Sequence, residues 1–473
     1  MRKYKIYTLG CKVAQAEGHQ LRLLLDRFGL LQAAKDEPPD LCVVNTCAVT
    51  STAAGKSRRL IFKLARLYPA GQIVLLGCYA STVDLSIRNI PQVVLIADHH
   101  RGITSALEDF LLQTVVDIKP LFSPKVKNKF KTSQSRHRAF LKIQDGCDAN
   151  CTYCIIPQLR PKVHSLSPSE VIDQAKTLIQ AGHQEIVLCG IFLGGYGKDT
   201  TRKTRFNQPG EPLADLITNL LAIPNLGRLR LSSLEPLDLT NELLKVLSSS
   251  DKVAGHLHLP LQSGSDNILR RMGRQYRSAD YLQAVESAKK SIPNLALTTD
   301  IIVGFPGETD EDFQQTLKVS EKSAFAKIHI FPFSSRPGTP AAQWQNEKIN
   351  PKKLESRLQI LNDLEKTLAL QFRQKFQNQL VRVLVEKIEP PKSSKRRDRK
   401  GVGIEGAHIE ETGIKGAGII DNSPDLCYCQ GRADQYFTVR FPGHPEFDNQ
   451  FHPVKIIQTD QEPLTGQVEN HYI

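Results

Sequence analysis

An α/β protein in three parts is the fold class this 473-residue sequence predicts: an N-terminal parallel α/β domain, a central partial (β/α)6 TIM-like barrel and a small C-terminal β-barrel. Three observations carry that expectation. Apolar runs alternate with helical patterns over 1–117, a strand-then-helix unit recurs six times over 139–375, and strand-like alternation returns over 376–460. The length agrees, since about 150 residues per domain allows roughly two to four domains.

In the first part, 5–9, 41–45 and 73–76 read as strands, with helices near 15–27 and over 53–67 and helical sequence after the third strand. Continuous apolar strands alternating with helices argue for a parallel sheet covered on both faces. Residues 118–138 form a basic linker holding Lys119, Lys125, Lys127, Lys129, Lys131, Arg136 and Arg138 with no acidic residue. It reads as a solvated tether or as a tether that also touches phosphate. The six central strands are expected at 140–143, 185–189, 228–232, 256–259, 299–303 and 327–331, short of the eight of a closed barrel. A helix over about 350–376 leads to strands at 381–385 and 436–440, and 461–473 is expected as a tail. Between those strands Lys392, Lys395, Arg396, Arg397, Arg399 and Lys400 make a basic loop.

Composition narrows the function classes. Hydrophobic residues at 40% and charged residues at 23% exclude collagen-like, coiled-coil and wholly disordered chains. No run approaches the ~18 apolar residues of a membrane helix, and the N-terminus lacks an apolar leader, so a cytoplasmic protein without a membrane partner is expected. Lys and Arg number 62 against 49 Asp and Glu, a net charge of +13 that favours a polyanionic partner such as nucleic acid.

Ten cysteines are too few for a disulfide scaffold of this length, and clusters of them point to a metal or redox site. Cys147, Cys151 and Cys154 form C-x3-C-x2-C on the loop after the first barrel strand. Structural zinc wants four closed ligands, whereas a [4Fe-4S] cluster held by three thiolates leaves one iron for a ligand. Cys11, Cys47 and Cys78 each stand just past the carboxyl end of an N-terminal strand, where open α/β sheets place their ligand crevice. They read as a second cluster or as three separate core cysteines. Cys42 and Cys189 lie inside apolar strands and read as core, and Cys427 with Cys429 is too little for a metal site. Residues 53–57 imitate a phosphate loop, but Thr50 stands where its first glycine belongs. The glycine runs Gly194-Gly195-Tyr196-Gly197 and Gly304-Phe305-Pro306-Gly307-Glu308 follow barrel strands and suit either close ligand approach or a plain turn.

Taken together, C-x3-C-x2-C and Gly304-Phe305-Pro306-Gly307-Glu308 resemble the radical S-adenosylmethionine superfamily. The N-terminal cysteines in Thr8-Leu9-Gly10-Cys11-Lys12-Val13 and Asn45-Thr46-Cys47 narrow the resemblance to the methylthiotransferases. So do His256-Leu257-His258-Leu259-Pro260-Leu261-Gln262-Ser263-Gly264-Ser265 and Arg336-Pro337-Gly338-Thr339-Pro340. Residues 8–13, 193–197 and 231–236 are similar to the branch that acts on N6-threonylcarbamoyladenosine at position 37 of tRNA. The terminal module resembles the TRAM RNA-binding barrel loosely, through Gly431 to Tyr436, and the chain departs from the family at Ala14 and at Arg160-Pro161.

The resemblance implies two [4Fe-4S] clusters, one on Cys147, Cys151 and Cys154 that binds S-adenosylmethionine and one on Cys11, Cys47 and Cys78 that presents sulfur. It also implies reductive cleavage of the cofactor and hydrogen abstraction from adenine C2. Ser232, Ser233 and Gly304, Phe305, Pro306, Gly307, Glu308 are the expected cofactor contacts. Lys395, Arg396, Arg397 and Arg399 are expected on tRNA phosphates, with the anticodon loop as partner and a flavodoxin- or ferredoxin-like electron donor. The alternatives are the same chemistry on isopentenyladenosine or on a ribosomal-protein aspartate, and a non-catalytic zinc-bearing RNA-binding protein.

Overall fold

The computed structural model describes residues 3–114, 137–389 and 427–468, in two compact units, Met1–Phe372 and Arg373–Ile473. Most of the basic linker (all but its last two residues) and the basic loop with Lys395, Arg396, Arg397 and Arg399 lie outside the described residues.

The chain opens with β1 (Lys3–Thr8), α1 (Lys12–Arg27), β2 (Leu31–Gln32), β3 (Leu41–Thr46), α2 (Ser51–Leu67) and β4 (Gln72–Gly77). It continues through α3 (Leu85–Arg88), β5 (Val93–Ala97) and α4 (Ile103–Thr114). The five strands are parallel in the order β2-β1-β3-β4-β5. The sheet has two more strands than the sequence reading expects. β2 is two exposed residues and β5 is a half-exposed edge, so neither carries the continuous apolar run that marks β3. Order 2-1-3-4-5 reverses direction between β1 and β3, which opens a crevice at their carboxyl ends. The segment that imitates a phosphate loop is helix interior: Thr50 caps α2, its hydroxyl accepting from the Ala53 amide at 3.1 Å.

The central part runs β6 (Arg138–Asp145), α5 (Ile156–Leu159), β7 (His164–Ser165), α6 (Pro168–Gln180), β8 (Glu185–Gly190), α7 (Pro212–Leu221) and β9 (Arg228–Leu231). Then come α8 (Asn241–Ser248), β10 (His256–His258), α9 (Asp266–Arg271), α10 (Ser278–Ser291), β11 (Ala296–Val303), α11 (Asp310–Ser323) and β12 (Lys327–Pro332). Strands β6, β8 and β9 pair in parallel, as do β10, β11 and β12. Parallel bridges at Leu229–Val253 and Ser233–His258 join the two sets into the expected open six-strand arc. Its convex face carries a leucine- and isoleucine-rich core under the helices.

After α12 (Pro351–Gln374), β13 (Leu380–Glu389), β14 (Cys427–Ala433), β15 (Thr438–Gly443), β16 (Phe451–Gln458) and β17 (Leu464–Val468) close a barrel in the order β13-β14-β15-β17-β16. This corrects the expected tail at 461–473. Leu464, Gly466 and Val468 alternate inward, and the glycine at the middle position hides the two-residue period in the sequence. No helix among the described residues is long and apolar enough to cross a membrane.

Candidate active site

Each N-terminal cysteine is positioned by the strand that precedes it. Cys11 caps α1 and is exposed; Cys47 and Cys78 are buried beyond β3 and β4. Gly10 has φ +115°, and a Cβ there would stand 3.2 Å from the Cys47 sulfur, so glycine lets the first two loops close on each other. Ser57 of α2 clamps Cys47, accepting from its amide at 3.2 Å and donating to its carbonyl at 3.0 Å. The Thr46 carbonyl accepts from the Cys78 amide at 3.2 Å. Asn45 donates to the Ala14 carbonyl at 3.0 Å and ties β3 to α1 beside the crevice. Burial pushes the Cys47 thiol up and the Cys78 thiol up to about 11, and each feels the charge of its neighbour in the trio. Both α1 and α2 begin just beyond a cysteine, but after Cys78 there is only a short 3-10 turn, Ala80–Thr82.

The second trio hangs on the loop after β6. The Cys147 sulfur lies 3.3 Å from Thr201 Oγ1 and takes the Ala149 amide at 3.4 Å. Arg274 Nη1 donates to the Cys151 sulfur at 3.3 Å and pairs with Glu235. Thr152 pins the loop to the end of α9, its amide donating to the Met272 carbonyl at 3.0 Å and its hydroxyl to that of Arg271 at 2.7 Å. Burial pushes Cys154 up to about 12, with the two neighbouring thiols adding to the effect. As thiols these sulfurs are neutral; a bound metal deprotonates them.

One residue touches both loops. The Arg160 carbonyl accepts from the Cys147 amide at 3.0 Å, while its guanidinium reaches Cys78. The same guanidinium forks onto Glu17 of α1 at 2.8 and 3.1 Å and onto Asp145 of β6 at 2.7 Å. Lys142 adds bonds of 3.1 Å to Glu17 and 2.9 Å to Asp145. Burial disfavours the Glu17 charge, but Arg160 and Lys142 outweigh it and hold its carboxyl below the usual range. A buried group of paired charges of this kind fixes geometry more than it adds stability. The Arg336 to Pro340 stretch also meets the N-terminal domain: Arg336 donates to Ser51 Oγ at 3.4 Å, and its charge reaches Cys47.

The expected cofactor contacts divide. Ser232 is buried with a hydroxyl that has no partner among the described residues, which suits a ligand in the barrel; Ser233 is exposed. Glu308 is committed elsewhere: its carboxylate accepts from the Gly304 amide at 2.9 Å and from Arg357 at 2.7 Å. Phe305 is fully buried, edge-on to Tyr153, so the segment braces the cysteine loop from behind. The run at 194–197 is packing glycine: a Cβ on Gly194 would lie 1.9 Å from the Asp238 carboxylate. Cys42 and Cys189 are fully buried in strands, and Cys427 and Cys429 point into the terminal barrel. Sequence reasoning missed Arg274 and Thr201, which stand far along the chain from the cysteines they support, and it met Arg160, Ser57 and Asn45 only within short stretches, without their roles at the cysteine loops.

The family model described as Radical SAM superfamily matches residues 141–319, and that of Uncharacterized protein family UPF0004 matches 3–97. The threonylcarbamoyladenosine tRNA methylthiotransferase MtaB of Bacillus subtilis is 36% identical over 80% of this chain and 84% of its own. The protein of the same name from Thermotoga maritima is 36% identical over 82% and 87%. A tRNA-2-methylthio-N(6)-dimethylallyladenosine synthase of Acidothermus cellulolyticus is 33% identical over 85% and 80%. An open β/α arc with three cysteines after its first strand, matched by that superfamily model, is a radical S-adenosylmethionine enzyme, whose chemistry uses S-adenosylmethionine and a [4Fe-4S] cluster. Within that class the chain belongs to the methylthiotransferase family.

Proposed function

We propose that this enzyme adds a methylthio group to C2 of N6-threonylcarbamoyladenosine at position 37 of tRNA, using two [4Fe-4S] clusters. The observation that carries the reading is the pair of cysteine trios with Arg160 as common neighbour, one at the switch-point crevice and one at the mouth of the arc. The donor sets fit the groups proposed. Cys147, Cys151 and Cys154 would hold the cluster that takes S-adenosylmethionine, with the partnerless Ser232 hydroxyl and the Arg274 Nε as polar groups left for a ligand. Cys11, Cys47 and Cys78 would hold the second. When bound, the clusters and S-adenosylmethionine supply one-electron chemistry at a carbon that no acid or base activates, together with the transferred sulfur.

The chain's own work is placement. Arg274 and Thr201 set the sulfurs of the first loop, Ser57 and Asn45 those of the crevice, and Arg160 keeps the two loops in one frame. The backbone of Gly304 to Glu308 would support the cofactor indirectly, through Phe305 and Tyr153. The substrate assignment is supported by the names of the relatives in Bacillus subtilis and Thermotoga maritima and by residues 8–13. The net charge of +13 suits tRNA, whose loop bases leave the stack more cheaply than duplex bases. Electrons would come from a flavodoxin- or ferredoxin-like donor.

Mass spectrometry of tRNA nucleosides from a deletion strain tests this. The expected result is loss of 2-methylthio-N6-threonylcarbamoyladenosine with the unthiolated nucleoside in its place. Loss of methylthio-isopentenyladenosine, or of methylthiolation on a ribosomal aspartate with an unchanged tRNA profile, would refute it.

A further inference from the structure

The concave face of the arc carries a polar group that the cysteine chemistry does not use. Strand alternation decides which side chains face it. Leu229, Leu257, Leu297 and Ile328 lie in the core under the helices, so the residues between them face the other way. Register sets His258 beside Thr298 and Asp300 beside His329. One ligand atom from each of His258, Asp300 and His329 lies within 4.8 Å of the other two. Thr298 Oγ1 bonds His258 Nδ1 at 2.9 Å, which turns Nε2 toward Asp300, 3.4 Å from its carboxylate.

The N-terminal domain completes the group. Val13 of α1 packs against Val187 and Cys189 on the concave face of β8, and the charge of the neighbouring Lys12 reaches both Cys189 and His329. Lys12 directly follows Cys11, so this polar group adjoins the crevice trio. A divalent cation would use the same three ligand atoms, but the Lys12 ammonium repels a cation and attracts an anion. A hydrocarbon ligand would strip water from the polar face of Asp300 and His329 and return no hydrogen bond for it.

We propose that Lys12 and His329 hold the carboxylate of the N6 substituent on the substrate adenosine, while Asp300, oriented by His258, accepts from its hydroxyl or amide N–H. The assignment rests on the threonylcarbamoyl reading of the substrate and explains how the chain would reject the isopentenyl nucleoside, which offers neither a carboxylate nor a donor in that substituent. Sites that hydrogen-bond a substrate group reject analogues that lack it far better than apolar pockets reject a methylene.

The test uses the full-length iron-loaded enzyme and three anticodon stem–loops, bearing threonylcarbamoyladenosine, isopentenyladenosine or plain adenosine at position 37. Fluorescence anisotropy gives binding, and single-substrate kinetics separate KM from kcat. The parent should prefer the threonylcarbamoyl stem–loop. Lys12→Gln and His329→Leu should each cut that preference at least about tenfold, chiefly through affinity and KM, and Lys12→Arg should keep most of it. Iron content qualifies each variant. If Lys12→Gln disturbs its cysteine neighbour and loses iron, His329→Leu decides, since His329 is exposed on the last strand of the arc. A parent that prefers the isopentenyl stem–loop overturns both the substrate reading and this assignment. A parent that prefers threonylcarbamoyl alongside an iron-loaded His329→Leu variant with the same preference overturns this assignment alone.

Discussion

Six cysteines are proposed to carry the chemistry, and their surroundings sort them into two kinds. Cys147, Cys151 and Cys154 are set within eight residues of chain, with Thr201 and Arg274 reaching in from elsewhere. Cys11, Cys47 and Cys78 meet only because three strands end side by side. The two trios should therefore separate by mutation. With Cys147, Cys151 and Cys154 changed to alanine, production of 5′-deoxyadenosine should stop even with tRNA and reductant present. With Cys11, Cys47 and Cys78 changed, cleavage of S-adenosylmethionine should continue while no sulfur reaches tRNA. Iron should fall by about half in either variant, since a cubane needs its thiolates. Circular-dichroism melts accompany the assay, and folded protein without the N-terminal trio that still makes methylthiolated tRNA would reduce those cysteines to core residues. The first trio was legible in the sequence from spacing alone. Arg160, which meets both loops, was not, because its carbonyl acts on one loop and its guanidinium on the other.

At the scale of elements, the floor of the arc is an ionic one. Glu185 of β8 lies beside Arg228 and Arg230 of β9, all three buried, with bonds of 2.5 Å to Arg228 Nε and 2.8 Å to Arg230 Nε. Burial resists the Glu185 charge, but Arg230 and Arg228 prevail and bring its carboxyl down to about 2. A lowered pKa contributes stability that is fully present above the unfolded value, near 4.5, and is lost as pH falls toward the folded one. The shift corresponds to roughly 3 kcal/mol. The midpoint of thermal unfolding should fall as pH drops from about 4.5 to 2, and Glu185→Gln should flatten that dependence while lowering stability at neutral pH, where two buried arginines lose their anion. An unchanged acid profile in the variant would show that this carboxylate titrates normally. Sequence reading placed both strands at this position yet could not pair them, because charged residues inside a barrel strand resemble an exposed face until a neighbouring strand supplies the opposite charge.

The whole molecule is a basic chain proposed to hold a polyanion. Neutralising Lys395, Arg396, Arg397 and Arg399 together should weaken tRNA binding and flatten its dependence on salt. Each lost phosphate contact should change the log–log slope by about 0.7–0.9, read from binding titrations across a series of salt concentrations. An unaltered slope would mark the run as a solvated segment. Phosphate contacts position the RNA and leave the choice of base to the site itself. The choice among N6 substituents is accordingly assigned to the barrel interior rather than to the basic segment.

The amino-acid sequence by itself determined the principal strands and helices in their order, the three-part architecture and the cysteine loop at 147–154. All of these are local: apolar periodicity, turn residues and short spacings are written within a few residues of each other. It also marked where each strand ends, and so which cysteines stand at carboxyl ends. Only the tertiary structure decided what those ends face. The 2-1-3-4-5 strand order brings Cys47 against Gly10. Closure of the terminal barrel recruits Leu464–Val468, which no period announced. The packing of α1 on the arc then lets the charge of Lys12 act on His329, 317 positions along the chain. A side chain's partner across such a distance is set by sheet register and domain packing, and neither leaves a periodic trace in the sequence around the residue.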